Sequence, residues 1–477
     1  MSQGIRFHPN QEFKQRSRAA VNDPAQRKNF RGAMDFLQAK RRAQFPDEEE
    51  LASLRDLGAM IRRYSLARLP QLLEQLEQSL VANGVRVHWA QDAAEANAIA
   101  LDIARRVGAR RIIKGKSMVS EEVDFNHAME AAGIEAFESD MGEYIVQLAG
   151  EKPSHIIMPA IHKTRQEIAA LFAAEIPGVD YTDDVDALIR IGRRVLRRKF
   201  AEADIGLSGV NFAVAETGTL CLVENEGNGR LCTTVPRVHI AITGIEKVVE
   251  KLEHVPPLFS LLTRSATGQA VTTYFNMISG PRKPGEKDGP EEVHLILVDN
   301  GRTQAYADEQ LRATLQCIRC GACMNHCPVY ARIGGHAYGT TYPGPIGAIV
   351  SPHMLGLDAT YPPAFASTLC GACVEVCPVR IPITDILIRL RNEAQARTGS
   401  EGATLRGSGA ARTALVSAIW SGWAQVYSRL RLYRLTSWFI SRGRALSPIE
   451  QGAWTRSRTP LKPAPKRLRD LLRERKP

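Results

Sequence analysis

"CIRCGACMNHCPVY" at residues 317–330 is answered further on by "CGACVEVCPVR" at residues 370–380, and the reading of these two runs decides the rest. In the first run Cys317, Cys320 and Cys323 come three residues apart, Cys327 follows four later, and Pro328 comes next. Three thiolates at that spacing wrap one face of a [4Fe–4S] cube, while the fourth, carried away by the turn at proline, ligates another cube. Gly321 and Ala322 leave room for the backbone to approach inorganic sulfide and donate N–H bonds to it. A zinc knuckle also uses C-x2-C pairs. The third cysteine and the Cys-Pro ending count against it.

Aligned from its proline backwards, the echo sets Pro378 on Pro328, Cys377 on Cys327, Cys373 on Cys323 and Cys370 on Cys320. Ser367 falls where the first run has Cys317. With crossing ligands, one [4Fe–4S] cluster takes Cys317, Cys320, Cys323 and Cys377, and a second takes Cys327, Cys370 and Cys373. The second set is one cysteine short. That leaves three alternatives: a non-cysteine fourth ligand such as Ser367 or water, a [3Fe–4S] centre, or a cube with an open iron. The other two cysteines, Cys221 and Cys232, lie in strand-like surroundings and read as small buried hydrophobes.

A chain of 477 residues exceeds one ordinary core, so several domains are expected. Its hydrophobic content of 44% and charged content of 24% are those of a folded soluble protein. No apolar run reaches the ~18 residues of a membrane span, and the N-terminus lacks the apolar core of a secretory signal. The cytoplasm is the expected location, where seven of nine cysteines crowded between Cys317 and Cys377 argue for metal and not for disulfides. From Glu401 to Pro477 there are sixteen Lys+Arg and four Asp+Glu, or +12, so of the net +11 the first 400 residues carry −1. The basicity belongs to the tail, and no nucleic-acid footprint spreads over the protein.

The pattern divides the chain into four parts. Residues 1–80 read as helical, with apolar residues at three- and four-residue steps up to Gly84. Residues 80–300 alternate β-rich runs ("VRVHWA", "RIIKGK", "HIIMPAI", "HIAITGI", "EVHLILVDN") with helical ones ("DAAEANAIALDIARRVGA", "TRQEIAALFAAE"), which predicts an α/β domain with a largely parallel sheet. Within it "VNFAVAETGTLCLVENEGNG" reads as two strands joined at Glu216–Gly218. "SGPRKPGEKDGPEE" is a surface loop or linker. Residues 303–395 hold the cysteines in a helical, ferredoxin-like segment. Residues 400–477 form a basic helical region, entered through a hinge at "GSEGATLRGSG".

At this point the sequence resembles a known family. "CIRCGACMNHCPVY", "IGGHAYGTTYPGPIGAIVSP" and "LCGACVEVCPVRIP" are similar to the lactate utilization protein B family of iron–sulfur proteins, and "IIKGKSMVSEE" with "AVAETGTLCLVENEGNGR" resembles its LUD domain. The resemblance covers most of the chain, and the second motif matches the family's own spacing. It implies a LUD-type α/β domain akin to sugar-phosphate isomerases and CoA transferases. It also implies an electron carrier in the oxidation of L-lactate to pyruvate, working with a cysteine-rich subunit and a second, smaller LUD-domain protein. A rival reading makes the LUD-like domain itself the catalytic unit for a 2-hydroxy acid, with the clusters draining its electrons.

Other stretches invite a ligand. "KGKS" at Lys114–Ser117 fails the Walker pattern because Arg110 stands where a glycine is needed, but Lys114, Lys116 and Ser117 could still hold an anion. Glu216, Thr217 and Gly218 at a tight turn, with Glu224, Asn225, Gly229 and Arg230 of the glycine-rich loop beside it, form a candidate ligand mouth. No G-x-G-x-x-G fingerprint follows any strand, so a hydride acceptor of its own is not expected. The run 411–444 combines Trp420, Trp423, Tyr427, Tyr433 and Trp438 with arginines. It reads as a helix on its own domain or as a peripheral contact with an anionic membrane.

Overall fold

The computed structural model describes residues 9–395, 405, 414–448, 452, 455 and 459–474. It has two compact units, Met1–Gly409 and Ala410–Pro477. The hinge expected at "GSEGATLRGSG" lies outside the described residues except for Leu405.

Four helices open the chain: α1 (Pro9–Asn22), α2 (Pro24–Gln44), α3 (Glu48–Ala67) and α4 (Leu69–Ala82). Their starts are marked chemically. The Asp23 carboxylate accepts from the Gln26 N–H ahead of α2, and Asp47 accepts from Glu49 and Glu50 ahead of α3. Proline stands in the first turn of α2 and of α4, where its missing N–H costs nothing. Along α4, Leu69, Leu72, Leu73, Leu76 and Leu80 are buried at the spacing of one helix face.

That face packs on a sheet. Strands β1 (Arg86–Ala90), β2 (Arg111–Lys114), β3 (Glu135–Glu138), β4 (Ile205–Gly209), β7 (Val238–Gly244) and β10 (Glu292–Val298) form one parallel sheet in the order β1-β10-β7-β4-β2-β3. Central β7 is buried along its whole length, as a strand covered on both faces must be. One face packs against the helix Ala93–Arg106, through Ala96, Ala100 and Ile103. The other takes α4 through Leu72, Leu76 and Leu80. A smaller sheet, β5 (Phe212–Val214), β6 (Thr219–Glu224), β8 (Val248–Val249) and β9 (Tyr274–Ile278), runs in the order β8-β5-β6-β9. The hairpin expected at Glu216–Gly218 is there, joining antiparallel β5 and β6.

One expectation needs correcting. "HIIMPAI" is not a strand but a run of bends and turns. The ring Nδ1 of His155 accepts from the Ile157 and Met158 N–H groups, which closes the backbone on itself before Pro159. The "SGPRKPGEKDGPEE" stretch takes the first of its two expected forms. It is a surface loop between β9 and β10, drawn together by the Arg282 N–H on the Pro290 carbonyl at 2.9 Å.

In the second unit, helices Ala414–Ser428 and Leu430–Arg442 pack on each other, with the Tyr427 and Tyr433 rings 5.5 Å apart between centroids. No described helix is long and apolar enough to cross a membrane.

Candidate iron–sulfur centre and the adjoining cleft

Each cysteine run folds into a loop that a left-handed glycine turns into a single helical turn. Gly321 (φ +73) precedes Ala322–Asn325, and Gly371 (φ +86) precedes Ala372–Glu375. The two short helices pack against each other, and so bring the runs together. Cys317, Cys320, Cys323 and Cys377 line one cavity, whose other walls are apolar: Ile156, Ile318, Ile346, Val379, Ile381 and Ile383. Cys327, Cys370 and Cys373 form a second neighbourhood: after burial, the Cys370 charge raises the Cys327 thiol, and the charges of Cys327 and Cys370 raise that of Cys373.

All seven cysteines are free, and their chemistry fits an iron–sulfur group. Burial pushes the Cys320 thiol up to about 12, with Cys317 adding to it, and the Cys377 thiol up to about 11. Burial first, then the neighbouring thiols, raises Cys323 well above the usual range. Thiolates crowded into so apolar a cavity require a cation to replace their protons, as iron does. Backbone N–H groups already point at the sulfurs: Arg319 at Cys317 (3.3 Å) and Ile381 at Cys377 (3.3 Å).

Arginine, lysine and glutamine side chains clasp the loops from outside. From α2, Arg41 Nη2 donates to the Val376 carbonyl at 3.3 Å and Gln38 Nε2 to the Asn325 carbonyl at 2.6 Å. From α3, Arg55 donates to the carbonyls of Cys377 (3.0 Å) and Val374 (3.2 Å). Arg62, fully buried and lowered by that burial to about 10, spans Gln316, Leu315, Val248 and Glu246 carbonyls. Lys247 Nζ donates to the Cys317 carbonyl at 3.2 Å. These groups stabilise negative charge on the cysteine loops.

The α/β domain is tied directly to this centre. Arg302, 1% exposed, holds Glu122 at 2.8 Å and Glu246 at 2.6 Å, and Tyr342 from the cysteine segment donates to Glu122 at 2.7 Å. Arg319, between Cys317 and Cys320, stacks over the Tyr342 ring at 4.2 Å. It also lines a cleft of about 440 Å³ with Lys116, Asn211 and Glu226, and an inner throat of about 150 Å³ with Lys116, Ser117 and Lys247. Ile156 forms a wall of both the throat and the four-cysteine cavity.

The expected ligand residues part company here. Lys116 faces the cleft, its Nζ held by the Ile157 carbonyl at 2.8 Å, while the Ser117 hydroxyl caps the helix Met118–Glu122. Lys114 is closed to any anion: it is fully buried between Glu121 (2.5 Å) and Glu138 (2.6 Å). Of the expected ligand mouth, Glu224, Asn225 and Gly229 line the cleft, whereas Glu216, Thr217 and Gly218 do not border it. A Cβ on Gly218 would meet the Ser79 carbonyl carbon at 2.7 Å, and Asn83 Nδ2 donates to the Thr217 carbonyl at 2.9 Å, so this turn is seated on the end of α4. Cys221 and Cys232 are wholly buried and serve packing. The residues that sequence reasoning missed are Arg319, Lys247, Arg62 and the N-terminal arginines. Only Arg319 carried a local signal, its place inside the C-x2-C spacing.

A parallel LUD-type sheet joined to a cysteine-lined, cation-clasped cavity defines an iron–sulfur protein of electron transport. Family models agree with each part: the LUD domain matches residues 73–298, a 4Fe-4S dicluster domain matches 313–381, and the lactate utilisation protein B C-terminal region matches 389–477. The chain belongs to the lactate utilization protein B family. It is 44% identical over 394 residues to lactate utilization protein B of Bacillus licheniformis, covering 82% of this chain and 81% of that one. It is 44% identical over 382 residues to the uncharacterized electron transport protein YkgF of Escherichia coli K12, covering 80% of each. A crystal structure of a DUF162 family protein from Deinococcus radiodurans aligns over 48% of this chain and 98% of its own, at 16% identity and a TM-score of 0.28.

Proposed function

We propose that this protein carries electrons from the oxidation of L-lactate to pyruvate toward a cellular acceptor, as one member of a multi-protein system. Two [4Fe–4S] clusters would be held, one by Cys317, Cys320, Cys323 and Cys377 and the other by Cys327, Cys370 and Cys373. Such clusters take up and release single electrons. The chain's own residues do the rest: Arg41, Arg55, Arg62 and Lys247 hold the loops through their carbonyls, and the isoleucines of the cavity exclude water. The observation that carries this reading is the shared cavity of Cys317, Cys320, Cys323 and Cys377, drawn from both runs. The partners in this proposal are a cysteine-rich subunit and a second LUD-domain protein, which would supply the two-electron step.

The test is anaerobic purification with iron counting and EPR. About eight irons per chain, reducible by dithionite and bleached by L-lactate only when partners are added, is the expected result. About four irons would mean that the short motif holds no cluster. Cys377→Ser should damage the cluster fed by the first motif; damage confined to the second would overturn the crossing.

A second reading is favoured by the throat that Arg319 lines, which shares Ile156 as a wall with the four-cysteine cavity. In it, the LUD-like domain binds the 2-hydroxy acid itself. Bleaching by lactate with this chain alone would establish it over the pure carrier.

A further inference from the structure

The cysteine-poor run differs from the full one at a single ligand position, and there the backbone is the same. Cys317 leaves the short helix Leu311–Gln316 at φ −60°, ψ 124°, and Ser367 leaves the helix Leu357–Ala366 at φ −60°, ψ 136°. Two residues on, each loop takes a left-handed non-glycine residue, Arg319 at φ 61° and Leu369 at φ 54°. L-residues enter that region at a cost, so its recurrence at matching places marks a conformation that the surroundings impose. The N–H of that residue turns back in both loops: Arg319 donates to Cys317 Sγ at 3.3 Å, and Leu369 donates to Ser367 Oγ at 3.2 Å. A left-handed glycine and one helical turn follow in each, with Met324 bonded to Gly321 at 2.9 Å and Val374 bonded to Gly371 at 2.8 Å. The hydroxyl oxygen therefore stands toward Cys370 and Cys373 as the Cys317 sulfur stands toward Cys320 and Cys323.

From this congruence we infer that Ser367 Oγ is the fourth protein ligand of the second cluster. The inference rests on the two-cluster reading above. Binding replaces the O–H bond by an O–Fe bond, the proton leaves to solvent, and no electron changes hands. Ser367 is half-buried, beside exposed Cys370, so the proton has a path out. Arg391 fixes the loop that presents it, donating Nη2 to the Ser367 carbonyl at 2.6 Å and Nε to the Ala364 carbonyl at 2.9 Å. A serine oxygen is a harder donor than thiolate and favours ferric iron. The second cluster is thus the harder of the two to reduce at equal charge surroundings.

The test uses the full chain, purified anaerobically, as wild type, Ser367→Ala and Ser367→Cys. In Ser367→Ala one iron should be lost per chain and a [3Fe–4S] signal appear, while the spectrum of the first cluster stays unchanged. Ser367→Cys should keep all its iron and move the second cluster's potential upward. EPR of the reduced wild type in 17O-enriched water covers the case in which the variants fail to fold: no broadening is expected with serine bound. Broadening, or a Ser367→Ala protein with full iron, unchanged spectrum and unchanged potential, would put water on that iron and overturn the inference. About four irons in the wild type would instead remove the two-cluster reading on which it stands.

Discussion

Lys247 reaches out of the α/β domain to donate its Nζ to the main-chain carbonyl of Cys317 at 3.2 Å. It is 6% exposed and sits next in sequence to Glu246, the carboxylate that Arg302 holds. One buried cation thus fixes the first cysteine loop and offsets charge there.

Lys247→Met should lower the potential of the first cluster by tens of millivolts, with ~59 mV for each tenfold in the one-electron equilibrium. The second cluster should not move. Redox titration followed by EPR reads both. Equal shifts at the two would mean that the substitution loosens the whole segment.

A quite different burial holds Lys114. Desolvation opposes its charge, but Glu121, Glu138 and Glu143 more than offset this and raise it above the usual lysine range. Glu143 in turn is raised well above the carboxylate range, by burial and by Glu138. Lys114→Met leaves buried carboxylates uncompensated and should cost ~3–5 kcal/mol of stability. Urea unfolding checks it. A change below about 1 kcal/mol would show that the cluster of charges tolerates its loss.

His239 lies fully buried on β7, its Nε2 2.8 Å from Ser208 Oγ, and burial lowers it to about 3. In the unfolded chain it titrates near 6.5. Between those values the unfolded state binds the extra proton, so this contribution to stability is full above about 6.5 and is lost as pH falls toward 3. His239→Asn should therefore flatten the decline in unfolding free energy, measured by urea titration between pH 7 and 5, by up to about 1.36 kcal/mol per pH unit. Parallel profiles for variant and wild type would remove His239 from the account.

The second unit presents Leu415, Ile419, Trp420, Trp423, Tyr427, Trp438 and Phe439 to solvent, each more than a third exposed. No acidic residue occurs from 414 to 448, while Arg429, Arg431, Arg434, Arg442 and Arg444 do. Apolar rings with arginines and no counter-charge suit an anionic bilayer surface. The full chain should co-sediment with phosphatidylglycerol vesicles, release in high salt, and bind several-fold more weakly as Trp420→Ala/Trp423→Ala. Equal binding to phosphatidylcholine vesicles would rule out the electrostatic part.

The sequence carried the parallel sheet through its alternating runs, and the grouping of cysteines through their spacing. Both are local patterns with a fixed geometric meaning. "HIIMPAI" misled because apolar content says nothing of a histidine ring capping the next two amides. Lys114 and the Glu216–Gly218 turn misled for another reason: loop chemistry looks the same whether a ligand or the protein's own side chains answer it. The clasp of Arg41 and Arg55 was illegible, since it joins residues more than 300 positions apart. Ser367 looked like a missing ligand. Only the dihedral angles showed that its loop had kept the form of Cys317's.

The lending of Cys377 to the cavity of Cys317, Cys320 and Cys323 sets a timetable for biosynthesis. Synthesis runs from the N-terminus, and the segments made first fold first. The α/β sheet, complete at Val298, and the three leading cysteines leave the ribosome while Cys377 is still unmade. No cluster can therefore be sealed into that cavity co-translationally before the second run has emerged. Until then three thiols stand open to oxygen, and a chain truncated before residue 377 would be left with them permanently.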